Sequence, residues 1–471
     1  MRITSVKIES VISPQINFDF TPINSSENFH RNKSNFYSYL IGPNGSYKSL
    51  ILSEIASALI KAKSTNSQVF LDSPPAKVIC ISTGLNDRFP KIFLKPEEQL
   101  LLLRKSTYSS KFSDRNYLYF GPSTGKHTLS SKVMMKRLFL NLLSSKDKKK
   151  VFSGIKKTLS LNGFESKISI RFQFSRAFIK FYLNTPDRGL QKYIRSLLEF
   201  SKYRTFAKNL DLDNEAIETI SRILDKTTSD NSITKSITHT IDLSVDQSSM
   251  TFFTEVLPTL LLLEHTKAVT IQEFSFKKNK EGTNSTPSFV NILDMSSGEF
   301  KRLFIFLSLA CSLENDSVVL IDEPEISTHP EWQIKFSNDL GTYFSDVTGC
   351  HCVIATHSPH LISGTPREES SILAIKKSSG SVSIDEYRPP FGASVEQVLM
   401  DIFGLATSRN YFFEERLREI LFAIENKEEI LRSGKIDQLN VHINNLTKYI
   451  SSDEDPLHLV LSTAKREFGF K

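Results

Sequence analysis

At 471 residues the chain is too long for one compact core and implies two or three domains. With 39% hydrophobic and 24% charged residues, no apolar run near the ~18 residues of a membrane span and no signal-peptide core, it is expected to be cytoplasmic rather than membrane-bound. The net charge of +7 is uneven, because Lys132–Lys208 carry 19 lysines and arginines against 4 acidic residues, or +15, which leaves −8 for the rest.

The N-terminal part reads as strand-rich. Arg2–Val11 alternates like an edge hairpin, and Tyr37–Ile41 is an apolar run feeding a Gly-rich turn. Ser49–Ile60 then has helical spacing through Leu50, Ile51, Ile55 and Leu59, followed by short strands at Val78–Ser82 and Tyr117–Phe120. From Lys126 to Lys267 the pattern becomes mainly helical. Helices are expected at Met134–Leu143, Leu190–Phe200, Glu215–Leu224 and Met250–His265, with a hairpin of Ile168–Phe174 and Ala177–Leu183 and a loop over Lys226–Ser236. Strands return at Val269–Phe276 and Phe289–Leu293, around a turn at Lys277–Thr286. The helix Phe300–Leu313, the strand Val318–Ile321, the helix Trp332–Phe344 and the strand His351–Ala355 follow. From Ser394 the tail is helical, with Leu417, Ile420, Leu421 and Ile424 on one face. The expected partition is therefore 1–125, a basic insertion at 126–267, 268–390, and a helical tail at 391–471. The four cysteines (80, 311, 350 and 352) read as buried reduced thiols. In Cys350-His351-Cys352, the two thiols flank a residue that points to the opposite face of a strand, which argues against a metal site.

Four strings carry the chemistry. In IGPNGSYKS (Ile41–Ser49), the turn Gly42-Pro43-Asn44-Gly45-Ser46-Tyr47 offers backbone N–H groups to phosphate at the start of a helix. Lys48 is expected to reach the β- and γ-phosphates, and the Ser49 hydroxyl to ligate magnesium. The pattern G-x-x-x-x-G-K-[ST] has glycine where this chain has Tyr47. A bulky side chain there is expected to strain the turn or crowd the phosphates. In VVLIDEPE (Val318–Glu325), a buried strand delivers Asp322 to the metal and Glu323 beside it as general base for the attacking water. In MSSGE (Met295–Glu299), Ser296, Ser297 and Gly298 present a hydroxyl and free N–H groups at a helix start. In IATHSPH (Ile354–His360), a strand brings His357 to the same sheet edge as Asp322, where an imidazole can donate to the γ-phosphate or the water.

In combination these strings resemble the ABC-type ATPases of the branch containing SMC, RecF and the overcoming-lysogenization-defect (OLD) nucleases, over 1–125 and 268–385. The resemblance implies an α/β fold, an ABC-type P-loop ATPase head split by the insertion, with ATP and Mg²⁺ as ligands. It implies Asp322, Glu323 and His357 as the hydrolytic set, and Ser297 touching ATP held by a second subunit in a homodimer or higher even oligomer. OLD nucleases continue into a TOPRIM domain, whereas only about 80 helical residues follow Ser394. The layout is similar to stand-alone anti-phage ATPases such as PtuA of Septu and Septu-like retron systems, or AriA of PARIS. A separate HNH-type or TOPRIM-type effector nuclease is then implied, with the tail as a candidate docking surface.

The basic insertion is read as a nucleic-acid face. Lys146, Lys148, Lys149, Lys150, Lys156, Lys157, Arg171, Arg176 and Lys180 would meet phosphates, and Tyr182, Tyr193 and Tyr203 would stack on bases. Two alternatives stay open: a RecF-like DNA repair ATPase, and a scaffold that binds ATP with little turnover.

Overall fold

The computed structural model describes residues 2–9, 15–20, 34–61, 67–84, 87–90, 116–122, 130–143, 147–185, 189–199, 214–229, 236–244, 247–279, 288–365, 369–378, 381–404, 411–434, 436–448 and 456–470. It divides into two compact units, Met1–Pro389 and Pro390–Lys471.

In the first unit the chain runs through β1 (Ile3–Ile8), β2 (Ile16–Asp19), β3 (Phe36–Ile41), α1 (Lys48–Leu59), β4 (Gln68–Leu71), β5 (Lys77–Ser82) and β6 (Tyr117–Phe120). The helices α2 (Ser131–Leu143) and α3 (Lys148–Leu161) lead to β7 (Phe164–Phe174). They are followed by α4 (Arg176–Asn184), α5 (Leu190–Glu199), α6 (Asn214–Ser229) and β8 (Ile237–Asp242). A longer helix, α7, passes from Gln247–Thr251 through a π turn at Phe252–Val256 into Leu257–His265. Next come β9 (Val269–Lys278), β10 (Phe289–Asn291), α8 (Ser297–Ser312), β11 (Ser317–Asp322), α9 (Pro330–Phe344), β12 (His351–Thr356), α10 (Pro359–Ser363), β13 (Ser370–Ser378) and β14 (Ser381–Tyr387).

The main sheet has seven strands in the order β14-β13-β3-β12-β11-β5-β6, all parallel except the edge strand β14. Its three central strands, β3, β12 and β11, are buried along their whole length, which is why they are continuous apolar runs with little alternation. Register sets Ile41 beside Thr356, and Asp322 beside both Ala355 and Ser82. The loops that leave β3, β12, β11 and β5 therefore open at one sheet edge, where ligand sites of open α/β sheets form. A second sheet, β2-β1-β4, is antiparallel. Helix α1 packs between it and the main sheet, so Ile51, Leu52 and Ile55 share one core with Ile3, Val6, Leu40, Leu320 and Val353.

Several sequence expectations change. Arg2–Val11 holds one strand rather than a whole hairpin: β1 is the central strand of its sheet, it pairs antiparallel with the following edge strand β2, and Val11 lies outside the described residues. Ala177–Leu183 is helical within α4, and the antiparallel partners of β7 are β8 and β9. Phe178, Ile179 and Tyr182 are buried at one-and-four spacing, and the Ser175 hydroxyl caps the helix by accepting from the Phe178 N–H. The expected loop at Lys226–Ser236 is helical as far as Ser229, with 230–235 outside the described residues. The same holds for Phe200 and most of the turn at Lys277–Thr286. The four-stranded sheet β10-β9-β7-β8 joins strands from both sides of position 267.

The second unit is helical: α11 (Val395–Asp401), α12 (Tyr411–Glu425), α13 (Lys427–Ser433), α14 (Ile436–Thr447) and α15 (Pro456–Phe468). Phe413, Ile420, Leu439, Ile443, Leu446 and Leu461 form its core. Among the described residues no helix is long and apolar enough to cross a membrane.

Candidate functional site

The β3–α1 turn keeps the shape of a phosphate-binding loop. At Gly42 a Cβ would stand 2.7 Å from the Ile375 carbonyl oxygen and from Ser46 Oγ, and Gly45 has φ of 78°. The turn closes with a hydrogen bond of 3.2 Å from the Ser46 N–H to the Pro43 carbonyl, and α1 starts with one of 2.8 Å from Ile51 N–H to Tyr47 C=O. Tyr47 takes φ 70° and ψ 11°, the left-handed conformation that glycine fills more cheaply. The ring packs against the edge of the core, with Lys377 Nζ 5.3 Å from its centroid.

Lys48 curls into this loop. Its ammonium donates to the Gly42 carbonyl (2.9 Å), the Pro43 carbonyl (3.1 Å) and Ser46 Oγ (3.3 Å), and lies 3.3 Å from His357 Nδ1. Burial pulls its pKa down to about 8, against the upward pull of Glu323, Glu325 and Asp322. The other face of the imidazole meets Glu323, with Nε2 3.3 Å from Oε1. The Lys48 ammonium faces Nδ1, so the tautomer that satisfies both contacts carries its proton on Nε2. Glu323 is held below its ordinary pKa, mainly by this imidazole contact. Lys48, His357 and Glu323 thus form one chain across the ends of β3, β12 and β11.

Glu323 is fixed by its backbone. It has φ of 50°, its N–H donates to the Ala355 carbonyl (2.9 Å), and its carbonyl accepts from Thr83 Oγ1 (2.5 Å). Asp322 accepts from the Ser49 hydroxyl at 3.0 Å, although β12 separates its strand from β3. Burial pushes Asp322 up to about 7, reinforced by Glu323, Asp87 and Glu325. A buried carboxylate pressed by acidic neighbours and met by one hydroxyl suits a divalent cation that takes its remaining ligands from phosphate and water. Among the described residues no group of three or more His, Cys, Asp and Glu side chains could hold a metal by itself.

The Ser296–Gly298 segment is built differently. Ser296 caps α8 by accepting from the Glu299 N–H (3.2 Å), and the Glu299 carboxylate accepts from the Ser296 N–H (3.0 Å). A Cβ on Gly298 would sit 2.6 Å from the Ser327 carbonyl oxygen, so glycine is required there. The Ser296 hydroxyl is thus used as an acceptor, and Ser296 and Ser297 are both exposed. Among the described residues no hydrogen bond joins Ser296, Ser297 or Gly298 to the loop 42–49 of the same chain.

Much of the basic insertion's charge is engaged by partners within the insertion and in the flanking segments. Lys136 pairs with Glu264, and Arg171 with Glu273 (3.2 Å). Lys150 donates to the Leu313 carbonyl (2.7 Å), Lys157 to Asp346 (2.5 Å), and Lys167 lies 3.2 Å from Asp242. Lys149, Lys156, Arg176, Lys180 and Lys192 are exposed. Tyr182 is corrected as a stacking residue: it is buried and donates to Asp225 (3.0 Å). Tyr193 already stacks on Phe181, with ring centroids 3.5 Å apart. Tyr203, Lys146, Arg188, Lys202, Arg204, Lys208 and the Lys148 side chain lie outside the described residues.

Two contributors to the site were not read from the sequence. Thr83 braces Glu323 from the neighbouring strand, and Glu325 accepts from the His357 N–H at 2.6 Å. Both depend on strand register, which no local pattern encodes.

Over 159 residues the chain is 25% identical to the Septu protein PtuA of Bacillus thuringiensis, a match spanning 33% of this chain and 37% of that relative. Solved structures similar to it include the Smc head domain of Pyrococcus furiosus with an extended coiled coil, bound to the C-terminal domain of ScpA. That one is 10% identical, covers 82% of this chain and 96% of its own, and has a TM-score of 0.30. The Pyrococcus yayanosii Smc head with its coiled coil and joint is also 10% identical, with 85% and 98% coverage and a TM-score of 0.31. A family model matches residues 38–363, from inside β3 to the end of α10 and across every motif described above, so the chain belongs to the ATPase family described as "AAA domain, putative AbiEii toxin, Type IV TA system".

Proposed function

We propose that the protein binds and hydrolyses ATP as the ATPase subunit of a cytoplasmic anti-phage defence complex, in which it controls a separate effector nuclease. The observation that carries the catalytic part is the chain Lys48–His357–Glu323 beside the pair Ser49–Asp322, all at one sheet edge. Backbone N–H groups of Asn44, Gly45 and Tyr47–Ser49 and the Lys48 ammonium would hold the β- and γ-phosphates. Ser49 and Asp322 would hold magnesium, which when bound neutralises phosphate charge. Glu323, held below its ordinary pKa, could accept a proton from the attacking water, and His357 orients that carboxylate and would lie beside the γ-phosphate held by Lys48. Ser296 and Ser297 are both exposed at the start of α8, and the Ser296 hydroxyl, which accepts in the cap, keeps its own proton to donate, so both could meet nucleotide held by a second copy. The defence role rests on the partial likeness to PtuA.

The test is ATP turnover and self-association of wild type, Glu323→Gln and Ser297→Arg. Glu323→Gln is expected to lose about 10²-fold or more in kcat while keeping ATP affinity, and to accumulate ATP-dependent dimers by light scattering. Ser297→Arg is expected to bind ATP and remain monomeric. Equal, near-zero turnover in wild type and Glu323→Gln would instead favour an ATP-dependent scaffold.

A further inference from the structure

The ladder of β12 ends at Thr356, yet His357 must be placed to within a fraction of an ångström to face Lys48 and Glu323 at once. What holds it comes from the segment after β11. That segment is a locked turn: Ile326 N–H donates to the Glu323 carbonyl (3.3 Å), while Thr328 N–H and Oγ1 donate to the Glu325 carbonyl (3.0 and 2.7 Å). Glu323 and Ser327 both take left-handed φ angles of 50° and 63°, which folds the turn back toward the end of β12. There Glu325 Oε1 accepts from the His357 N–H at 2.6 Å.

The neighbouring residue has its own brace. Ser358 Oγ donates to Gln333 Oε1 (2.6 Å), Gln333 Nε2 donates to the Thr328 carbonyl (3.0 Å), and Ser358 N–H donates to Thr356 Oγ1 (2.9 Å). Burial raises the Glu325 pKa, opposed first by the His357 N–H and then by its own N–H and the Thr356 hydroxyl, and Oε2 is enclosed without a hydrogen bond of normal geometry among the described residues. A carboxylate so enclosed is an expensive way to fill space. With Oε1 committed to the backbone and Oε2 shut away, Glu325 is unavailable as a magnesium ligand or a base. Its chemistry is spent on the main chain of the residue that bridges Lys48 and Glu323.

We propose that Glu325 is a positioning residue for the nucleotide site: its carboxylate pins the His357 backbone so that the imidazole spans Lys48 and Glu323. The proposal rests on the catalytic reading above. It extends that reading to a side chain that touches neither phosphate nor water.

The full chain labelled with ¹³C,¹⁵N-histidine is compared as wild type, Glu325→Gln, Glu325→Asp, Glu325→Ala and His357→Ala, the last identifying the His357 ring signal by its loss. In Glu325→Ala the His357 signal is expected to move or broaden. Turnover should fall by about 10–100-fold, while the Kd for a fluorescent ATP analogue stays within about threefold of wild type. Glu325→Gln keeps an acceptor oxygen at the same reach and should recover most of the loss. Glu325→Asp is one methylene short and should recover less. The double variant Glu325→Ala/His357→Ala should turn over no more slowly than His357→Ala. An unmoved His357 signal in a folded Glu325→Ala protein overturns the proposal, as does multiplicative loss in the double variant. If Glu325→Ala does not fold, the order of Gln and Asp decides, and a better Asp than Gln overturns it. A wild type that neither binds nor hydrolyses ATP defeats the catalytic reading instead, and the histidine spectra still decide the role of Glu325.

Discussion

Tyr47 shows how one residue can depart from a motif without dismantling it. Its backbone does what glycine does at that place, with φ 70°, at a cost of about 1–2 kcal/mol for a side chain in the left-handed region. The ring recovers part of that cost by packing on the core edge below Lys377. Glycine would relieve the strain and lose the packing. Alanine would lose the packing and keep the strain, and valine would add a branched Cβ. Thermal unfolding should therefore place Tyr47→Gly within about 1 kcal/mol of wild type, Tyr47→Ala about 1–2 kcal/mol below it, and Tyr47→Val lowest. Equal stability of the alanine and glycine variants would show that no strain is held at this position. Lys48, Ser49, Asp322, Glu323 and His357 could be singled out from spacing along the chain, as Tyr47 could, and the fold brings their side chains to one sheet edge. Thr83 and Glu325 were not legible, because their partners Glu323 and His357 are brought to them by sheet register across long stretches of chain.

At the scale of elements, His351 ties three strands together. Its Nδ1 accepts from the Ile3 N–H (3.1 Å), and its Nε2 lies 2.9 Å from Ser38 Oγ, which lies 3.1 Å from Ser371 Oγ. The ring is fully buried, with Phe20 and Phe36 edge-on to it, so Cys350-His351-Cys352 is a structural segment rather than a metal site. Burial, helped by the nearby Arg2 cation, depresses the imidazole to about 3. Between about pH 3 and 6.5 the unfolded chain then binds a proton that the folded protein refuses, so stability rises with pH across that window and falls on acidification. The slope from this group is about 1.4 kcal/mol per pH unit. His351→Gln keeps an acceptor and a donor but does not titrate. Denaturant unfolding at pH 4, 5 and 6 should show wild type losing stability more steeply than the variant by about that slope, and parallel curves would refute the assignment.

Visibility in the sequence followed burial. The doubly buried strands β3, β11 and β12 announced themselves as apolar runs. Strand β8, in which only Ile241 is buried, carried no such signal. Helix α4 imitated a strand because its aromatic residues are dense enough to satisfy alternation as well as helical spacing.

For the whole molecule the open question is whether the concentrated positive charge meets nucleic acid. A count of +15 overstates the available field, because Lys136, Lys157, Lys167 and Arg171 are engaged by Glu264, Asp346, Asp242 and Glu273. What can reach phosphate is better represented by the exposed Lys149, Lys156, Arg176, Lys180 and Lys192. Each neutralised phosphate contributes about −0.9 to the slope of log K against log salt on duplex DNA, and about −0.7 on single strands. If most of these five cations engage together, the duplex slope should lie near −3 to −4. Replacing Lys149, Lys156 and Lys180 with alanine should flatten it by roughly 1 for each phosphate left without its cation. Replacing Lys167 should leave the slope unchanged, because that charge is already spent on Asp242. Anisotropy titrations of labelled duplex and single-stranded oligonucleotides between 50 and 200 mM salt would distinguish these cases. Failure to bind at the lowest salt, or a slope that ignores the exposed lysines, would leave the insertion as a solvated surface of the ATPase head and remove nucleic acid from its partners.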